Sequence, residues 1–305
     1  MISIRGMKHH ELDTVHRMLD RAFRHTPKAF FDQQVHHDPH LRPGHTRLLV
    51  ENGCILSCVR VFFREMGCKG MSLPIGGIGD VGTDPSAQGM GYATQLLTDT
   101  ITYMRKKGAI LSILFTRIQP FYRNVGYLTL PTLDIHTKPP APSKSIIHRP
   151  VDLNQDLSPI IQLYKHFNQD RTGPVIRSRA YWKHQPGFPR LDPTLFWVCE
   201  EKGEITCYVR GFVDDEILRI QEFGYLPGRE ASLRDLIATM ARILKKKNVH
   251  ISYLSYEEVN IFTPWHHKTS ENTTLMVRFL QFDKLAVFDE LLQPYRFLFW
   301  EADRF

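Results

Sequence analysis

The chain opens with Ile2 and Ile4 alternating with polar residues, which predicts a short edge strand. Leu12, Val15, Leu19 and Phe23 then recur at helical spacing and predict an amphipathic helix. His36 to His45 is polar, carries two prolines and reads as a loop. Arg47–Val50 and Ile55–Glu65 read as two strands around the turn Glu51-Asn52-Gly53. Met71–Thr83 is a further extended run containing glycines. Tyr92–Lys107 has a helical apolar face of Ala93, Leu96, Leu97, Ile101 and Met104, and Gly108 stops it. Ala109–Thr116 is a continuous apolar run, as a buried central strand requires.

The pattern breaks at Thr137–Pro150, which holds four prolines and two lysines and reads as a linker. Beyond it the same order returns. Ile160–Phe167 is helical, and Phe196–Cys199 and Ile205–Val213 flank the turn Glu201-Lys202-Gly203. Ile217–Phe223 is a strand, Leu233–Leu244 a helix and His250–Tyr256 a strand. The helix ends correspond: Met104-Arg-Lys-Lys-Gly108 in the first half, Leu244-Lys-Lys-Lys-Asn248 in the second. This predicts one fold used twice, with a boundary at 1–138, a Pro-rich linker at 139–149 and a second unit at 150–305. Phe297, Phe299 and Trp300 partly alternate and predict a final core strand.

Composition adds limits. The 305 residues are 42% hydrophobic and 23% charged, which excludes a disordered chain and a coiled coil. The net charge of +7 is too small to demand nucleic acid and suits an anionic ligand. No apolar run reaches the ~20 residues of a membrane span, and the polar opening is unlike a signal peptide. The five cysteines form no C-x-x-C pair, which predicts reduced thiols and a cytoplasmic setting.

The chemistry concentrates in Val81-Gly-Thr-Asp-Pro-Ser-Ala-Gln-Gly-Met-Gly-Tyr-Ala-Thr94, where a strand enters a glycine-bearing loop that opens a helix. Backbone N–H groups at such a junction lack intrahelical partners, and the helix dipole adds positive potential. Gly89 and Gly91 let an anion approach the backbone, so a phosphate or pyrophosphate is the expected ligand. The spacing is neither the dinucleotide G-x-G-x-x-G nor the ATP-binding P-loop.

These residues resemble the GNAT superfamily of N-acetyltransferases, whose motif V-x-x-x-P-x-x-[QR]-G-x-G-x-A is met by Val81, Pro85, Gln88, Gly89, Gly91 and Ala93. The segment Pro120-Phe-Tyr-Arg-Asn-Val-Gly-Tyr127 resembles a second element of that superfamily. The tandem halves, this segment and Tyr181-Trp182 look like the enhanced intracellular survival (Eis) family. That family joins two GNAT-like domains and usually adds a sterol-carrier-like third, for which 305 residues leave no room.

The resemblance implies an α/β (α+β) fold of two GNAT-like domains, each a mixed, mostly antiparallel sheet flanked by helices. It implies acetyl transfer from acetyl-CoA to a primary amine on a small molecule or peptide, without a metal, nucleic acid or membrane partner; a homo-oligomer stays open. Val81, Gly82 and Thr83 would meet the pantetheine and the thioester carbonyl. Gln88, Gly89, Met90, Gly91, Tyr92, Ala93 and Thr94 would hold the pyrophosphate, and Tyr122 would serve as general acid toward the CoA sulfur. Some family members use the terminal carboxylate as base; Phe305 ends this sequence too, and the base is left unassigned. A non-catalytic CoA-binding protein is the alternative.

The second copy has Pro227-Gly-Arg-Glu-Ala-Ser-Leu in place of the glycine loop, so only the first half is expected to bind acetyl-CoA. The histidines at 36, 37, 40 and 45 are expected in a solvated loop, nearer to substrate contact than to metal binding. His266–His267, Asp214–Glu216 and Lys245–Lys247 read as surface features.

Overall fold

The computed structural model describes residues 1–142, 147–281, 291 and 293–305. The first half runs β1 (Ile2–Gly6), α1 (Leu12–Ala22), α2 (Lys28–His37), β2 (Thr46–Glu51), β3 (Cys54–Cys68), β4 (Met71–Thr83), α3 (Tyr92–Lys106), β5 (Leu111–Phe115), α4 (Gln119–Arg123), β6 (Leu128–Thr129) and β7 (Thr132–Thr137). The second runs β8 (Ile147–Pro150), α5 (Leu157–Asn168), β9 (Val175–Ile176), α6 (Arg179–His184), β10 (Phe196–Glu201), β11 (Glu204–Asp214) and β12 (Ile217–Tyr225). It continues through α7 (Glu230–Ile243), β13 (Asn248–Leu254), α8 (Tyr256–Asn260), β14 (His267–Asn272) and β15 (Leu275–Phe279).

Local chemistry explains the repeated hairpins. Asn52-Gly53, Lys69-Gly70 and Lys202-Gly203 all have positive φ at both residues, the tight turn whose twist matches paired strands. Helix α3 buries Leu96, Leu97, Thr100, Ile101 and Met104, and packs over β2, β3 and β4. Two mixed sheets result. One has the order β1-β2-β3-β4-β5-β15-β6, with β9 on the side of β3; the other has the order β14-β7-β13-β12-β11-β10-β8. Each contains one parallel pair, β4–β5 and β12–β13, and the other pairings are antiparallel. The order β2-β3-β4-α3-β5 thus recurs as β10-β11-β12-α7-β13, as a duplicated fold requires.

The sheets do not divide where the sequence does. Strand β7 belongs by position to the first half, yet it pairs with β13 and β14 of the second sheet. Strand β15 comes from the second half and fills the gap between β5 and β6. Side-chain burial explains the exchange. Ile135 of β7 joins the core around Ile251 and Val249, while Leu275 and Val277 of β15 join the core around Leu111 and Ile113. A fragment ending at residue 138 therefore lacks the strand on which β6 pairs. We expect that fragment to show no cooperative thermal transition by circular dichroism, whereas the full chain does.

Two sequence readings are corrected. His36 and His37 close a helix, α2, that the polar pattern concealed because its apolar residues are only Phe30, Phe31 and Val35 beyond Ala29. Phe297, Phe299 and Trp300 are buried, but they form irregular backbone with a single bridge, Thr172–Phe297. They fill the space between the two sheets' cores instead of extending either sheet. Of the Pro-rich stretch, residues 143–146 lie outside the described residues.

Candidate functional site

The site begins with a fault in β4. Arg60 of β3 pairs with Gly79, but Cys58 pairs with Gly82, so three steps on β4 face two on β3. Asp80 absorbs the extra residue at φ 49, a left-handed conformation uncommon outside glycine. On the other side of β4, parallel pairing with β5 runs from Ile75–Leu111 to Ile78–Leu114 and stops. From Gly79 to Thr83 that edge has no strand partner among the described residues. The two parallel strands separate into a wedge, which leaves backbone groups of that β4 edge without a ladder partner.

The wedge leads to the glycine loop. Gly89 and Gly91 have φ of +81° and +77°, and a methyl at either would meet open space, so backbone conformation and not crowding selects glycine. Gly91 caps α3 without any side-chain cap bond, which leaves the first helical N–H groups available. Gln88 donates its amide to the Thr83 carbonyl at 3.3 Å, and Tyr92 reaches Glu51 at 3.3 Å. A cleft of about 410 Å³ is lined by Val81, Thr83, Gln88, Gly89, Gly91, Tyr92, Ala93 and Thr94, with Phe121 and Tyr122 opposite. Two expected residues do not line it. Met90 is 61% exposed, and Gly82 faces α1, where a methyl would collide with Leu19.

Tyr122 sits on the short helix α4 with its ring edge-on to Phe121 and Tyr127. Burial pushes its phenol up to about 12. It lines both this cleft and a larger one of about 950 Å³ on the other side of the wedge. The larger cleft is walled by the α1–α2 connection (Phe23, Thr26, Phe30), by β4 and β5, by Asp134 of β7, and by second-half residues including Arg190, Arg219, His250, Tyr253 and Phe305.

Charges in the larger cleft are mostly paired. Asp80 accepts from Arg60, which is fully buried; Arg60 also contacts His16 at 2.8 Å, and His16 contacts Asp32 at 2.6 Å. Asp134 accepts from the Tyr253 N–H and the Asn272 amide. Its carboxyl is held below the usual range by the His250 and Asn272 hydrogen bonds, against an opposing push from burial. Asp134, His136 and His250 stand close enough to hold a metal ion. Arg219, however, donates to His250 Nδ1 at 2.7 Å. That bond needs the lone pair on Nδ1, so the network assigns the proton to Nε2, where it faces Asp134 at 3.2 Å. His250 is thereby a donor, not a ligand.

Phe305 lies against β4. Its main-chain oxygen accepts from Arg190 at 3.1 Å, and Arg190 stands over the Phe30 ring. Burial, with Arg304 nearby, lowers the Arg190 guanidinium to about 10. Behind this tail, Arg177 donates to both Glu222 and Asp303 in a fully buried cluster. The loop and Tyr122, both singled out from the sequence, line one cleft. The larger cleft adds Asp80, Arg190 and the Asp134–His250 pair, which no spacing announces. The histidine segment falls outside the larger cleft: His40 stacks on Tyr181 and bonds Ser178, and His45 packs on Phe63.

Comparison with known proteins agrees with this geometry. Residues 3–129 match the family model of the acetyltransferase (GNAT) domain. No curated protein sequence matches the chain. Among solved structures, a conserved protein of Enterococcus faecalis described as a probable N-acyltransferase aligns at TM-score 0.73 and 19% identity, covering 95% of this chain and 75% of its own. A GCN5-related N-acetyltransferase of Anabaena variabilis aligns at TM-score 0.72 and 16% identity, covering 92% and 73%. Eis1 of Mycobacterium abscessus aligns at TM-score 0.68 and 15% identity, covering 94% and 76%. These likenesses extend over both halves and establish a shared two-sheet fold.

Proposed function

We propose that this protein transfers an acetyl group from acetyl-CoA to a primary amine by direct attack on the thioester. The observation that carries the reading is the shared wall: Tyr122, Val81 and Ile118 line both the cleft at the glycine loop and the large cleft beyond the wedge. One cleft supports CoA, the other the acceptor, and the wedge joins them.

The pyrophosphate sits on the N–H groups of the Gly89–Thr94 junction, where orphan donors and the helix dipole favour an anion. The pantetheine runs along the unpaired edge of Gly79–Thr83 in place of a strand. Backbone N–H groups near the Asp80 bulge meet the carbonyl oxygen as it gains charge. Asp80 lies on the acceptor side, and we assign it the role of receiving the acceptor's ammonium group. Tyr122 gives a hydrogen bond to the departing sulfur. Thiols ionise near pH ~8.5, below the raised phenol, so complete early proton transfer is uphill. Tyr122 therefore works through the hydrogen bond, with net proton release coming from the amine. The products are the N-acetyl amine, CoA and a proton.

Thiol release from acetyl-CoA across a panel of amines tests the reading. Amine-dependent turnover supports it; tight CoA binding with no turnover on any amine supports a binding protein instead. The loop assignment has its own test. Gly91→Val puts a branched side chain at a left-handed position beside the helix start. CoA affinity is expected to fall about tenfold or more, the equivalent of ~1.4 kcal/mol. Calorimetry should also give one CoA per chain, because the second copy starts its helix at Glu230 with no glycine pair before it. Two bound CoA molecules would refute that assignment.

A further inference from the structure

We propose that the side chain of Phe305 limits the acyl group of the donor to acetyl. This rests on the acyl-CoA reading above. Gly77 and Gly79 share one face of β4, and Phe305 occupies the space that side chains there would take. A methyl at Gly77 would run into its ring, and one at Gly79 would lie 3.3 Å from its carbonyl carbon. The glycine-rich strand is thus a shelf cut to the shape of this residue. The ring stacks on Phe62 at 5.6 Å and lies 6.2 Å from Phe115 and 5.9 Å from Phe299, measured between centroids.

The position of this ring matters because of where the wedge ends. An arm entering between β4 and β5 stops at Ile78 and Leu114, the last paired residues, which also line the large cleft. The neighbouring residue on β4 is Gly79, which meets the Phe62 ring edge and the main chain and Cβ of Phe305, and the Phe305 ring follows two residues back, over Gly77. Acyl carbons beyond the carbonyl therefore meet an aromatic wall. Behind that wall is a second void of only about 30 Å³, which Phe305 also lines. It has room for no more than about two waters. Taking the ring away joins this void to the cleft and leaves a slot lined by Phe62, Phe115 and Phe299. The residue that closes the slot is held from both ends of the tail: Arg190 bonds its main-chain oxygen, and Arg177 anchors Asp303 two residues earlier.

Calorimetric binding of acetyl-, propionyl- and butyryl-CoA to the wild type, Phe305→Leu and Phe305→Ala tests this. Binding is read instead of turnover, so a variant with altered chemistry still reports. The wild type should bind propionyl-CoA more weakly than acetyl-CoA by ~10–200-fold, the range one methylene commands in a tight apolar site, and butyryl-CoA more weakly still. Phe305→Ala should shrink that ratio by about tenfold or more, with Phe305→Leu between. Thermal melts confirm folding, and Phe305→Leu carries the comparison if Phe305→Ala does not fold. Equal wild-type affinity for the three donors, or a ratio unchanged in the folded variants, overturns the proposal. If the wild type binds no acyl-CoA at all, the acyl-CoA reading itself fails and this inference falls with it.

Discussion

Tyr122→Phe lowers kcat by roughly 10²–10³-fold, the usual cost of removing one hydrogen-bond donor from developing negative charge, while leaving the affinity for CoA nearly unchanged. The ring fills a buried site against Phe121 and Tyr127, and phenylalanine keeps that packing. Only the hydroxyl is lost, and with it the donor at the cleft wall. The pH profile gives an independent check. Burial raises the phenol to about 12, so it stays protonated from pH 7 to 10 across the assay range. The wild type should therefore show no alkaline fall in kcat assignable to Tyr122 in that window. Stopped-assay kinetics and calorimetry on the same preparations decide the matter. A variant retaining more than half of wild-type kcat, or a wild-type alkaline limb that Tyr122→Phe removes, would assign the residue a packing role only.

The second large effect concerns stability. Arg177→Met should cost roughly 3–5 kcal/mol in urea unfolding, the range for breaking a buried ion pair from one side. Arg177 has no solvent exposure of its side chain, and neither does Glu222. Its guanidinium also lies 4.3 Å from the Tyr164 ring centroid and 4.5 Å from that of Trp182. Methionine leaves two carboxylates facing each other in an apolar interior, with Arg210 as the remaining nearby cation. Adding Glu222→Gln to Arg177→Met should recover part of the loss, since one uncompensated charge disappears. A single-variant cost under about 1 kcal/mol, in the range of exposed pairs, would show that water reaches the cluster on unfolding only part of the tail.

Much of the fold was legible because its signals are local. The x-Gly turns, the apolar face of Tyr92–Lys107 and the buried run at 111–115 each depend on residues within a dozen positions. The glycine loop was legible for the same reason: Gly89 and Gly91 adopt left-handed backbone that their neighbours in sequence demand. What escaped the sequence depends on distant partners. Nothing near Thr132–Thr137 reveals that these residues pair with 248–254, over a hundred positions away. Asp80 is an ordinary aspartate in sequence, and its site geometry comes from a bulge against β3. His16 lies on the predicted face of α1, yet its role is to hold Arg60 and, through it, Asp80. Arg190 becomes a cleft residue only when residues 301–305 fold back beside it.

The strand exchange has a consequence for how the chain is made. Synthesis runs from the amino terminus, and domains generally fold as units as they emerge. Here the strand between β5 and β6 is supplied by residues 275–279. The half that carries the glycine loop therefore leaves the ribosome with an open sheet edge and waits until synthesis has passed residue 279 before that edge is filled. An exposed edge of this kind is a template for pairing with other chains. A nascent protein of this design would need either rapid completion or a chaperone over that edge. Its yield of active molecules should then depend on translation speed through the second half more than on the stability of the finished fold.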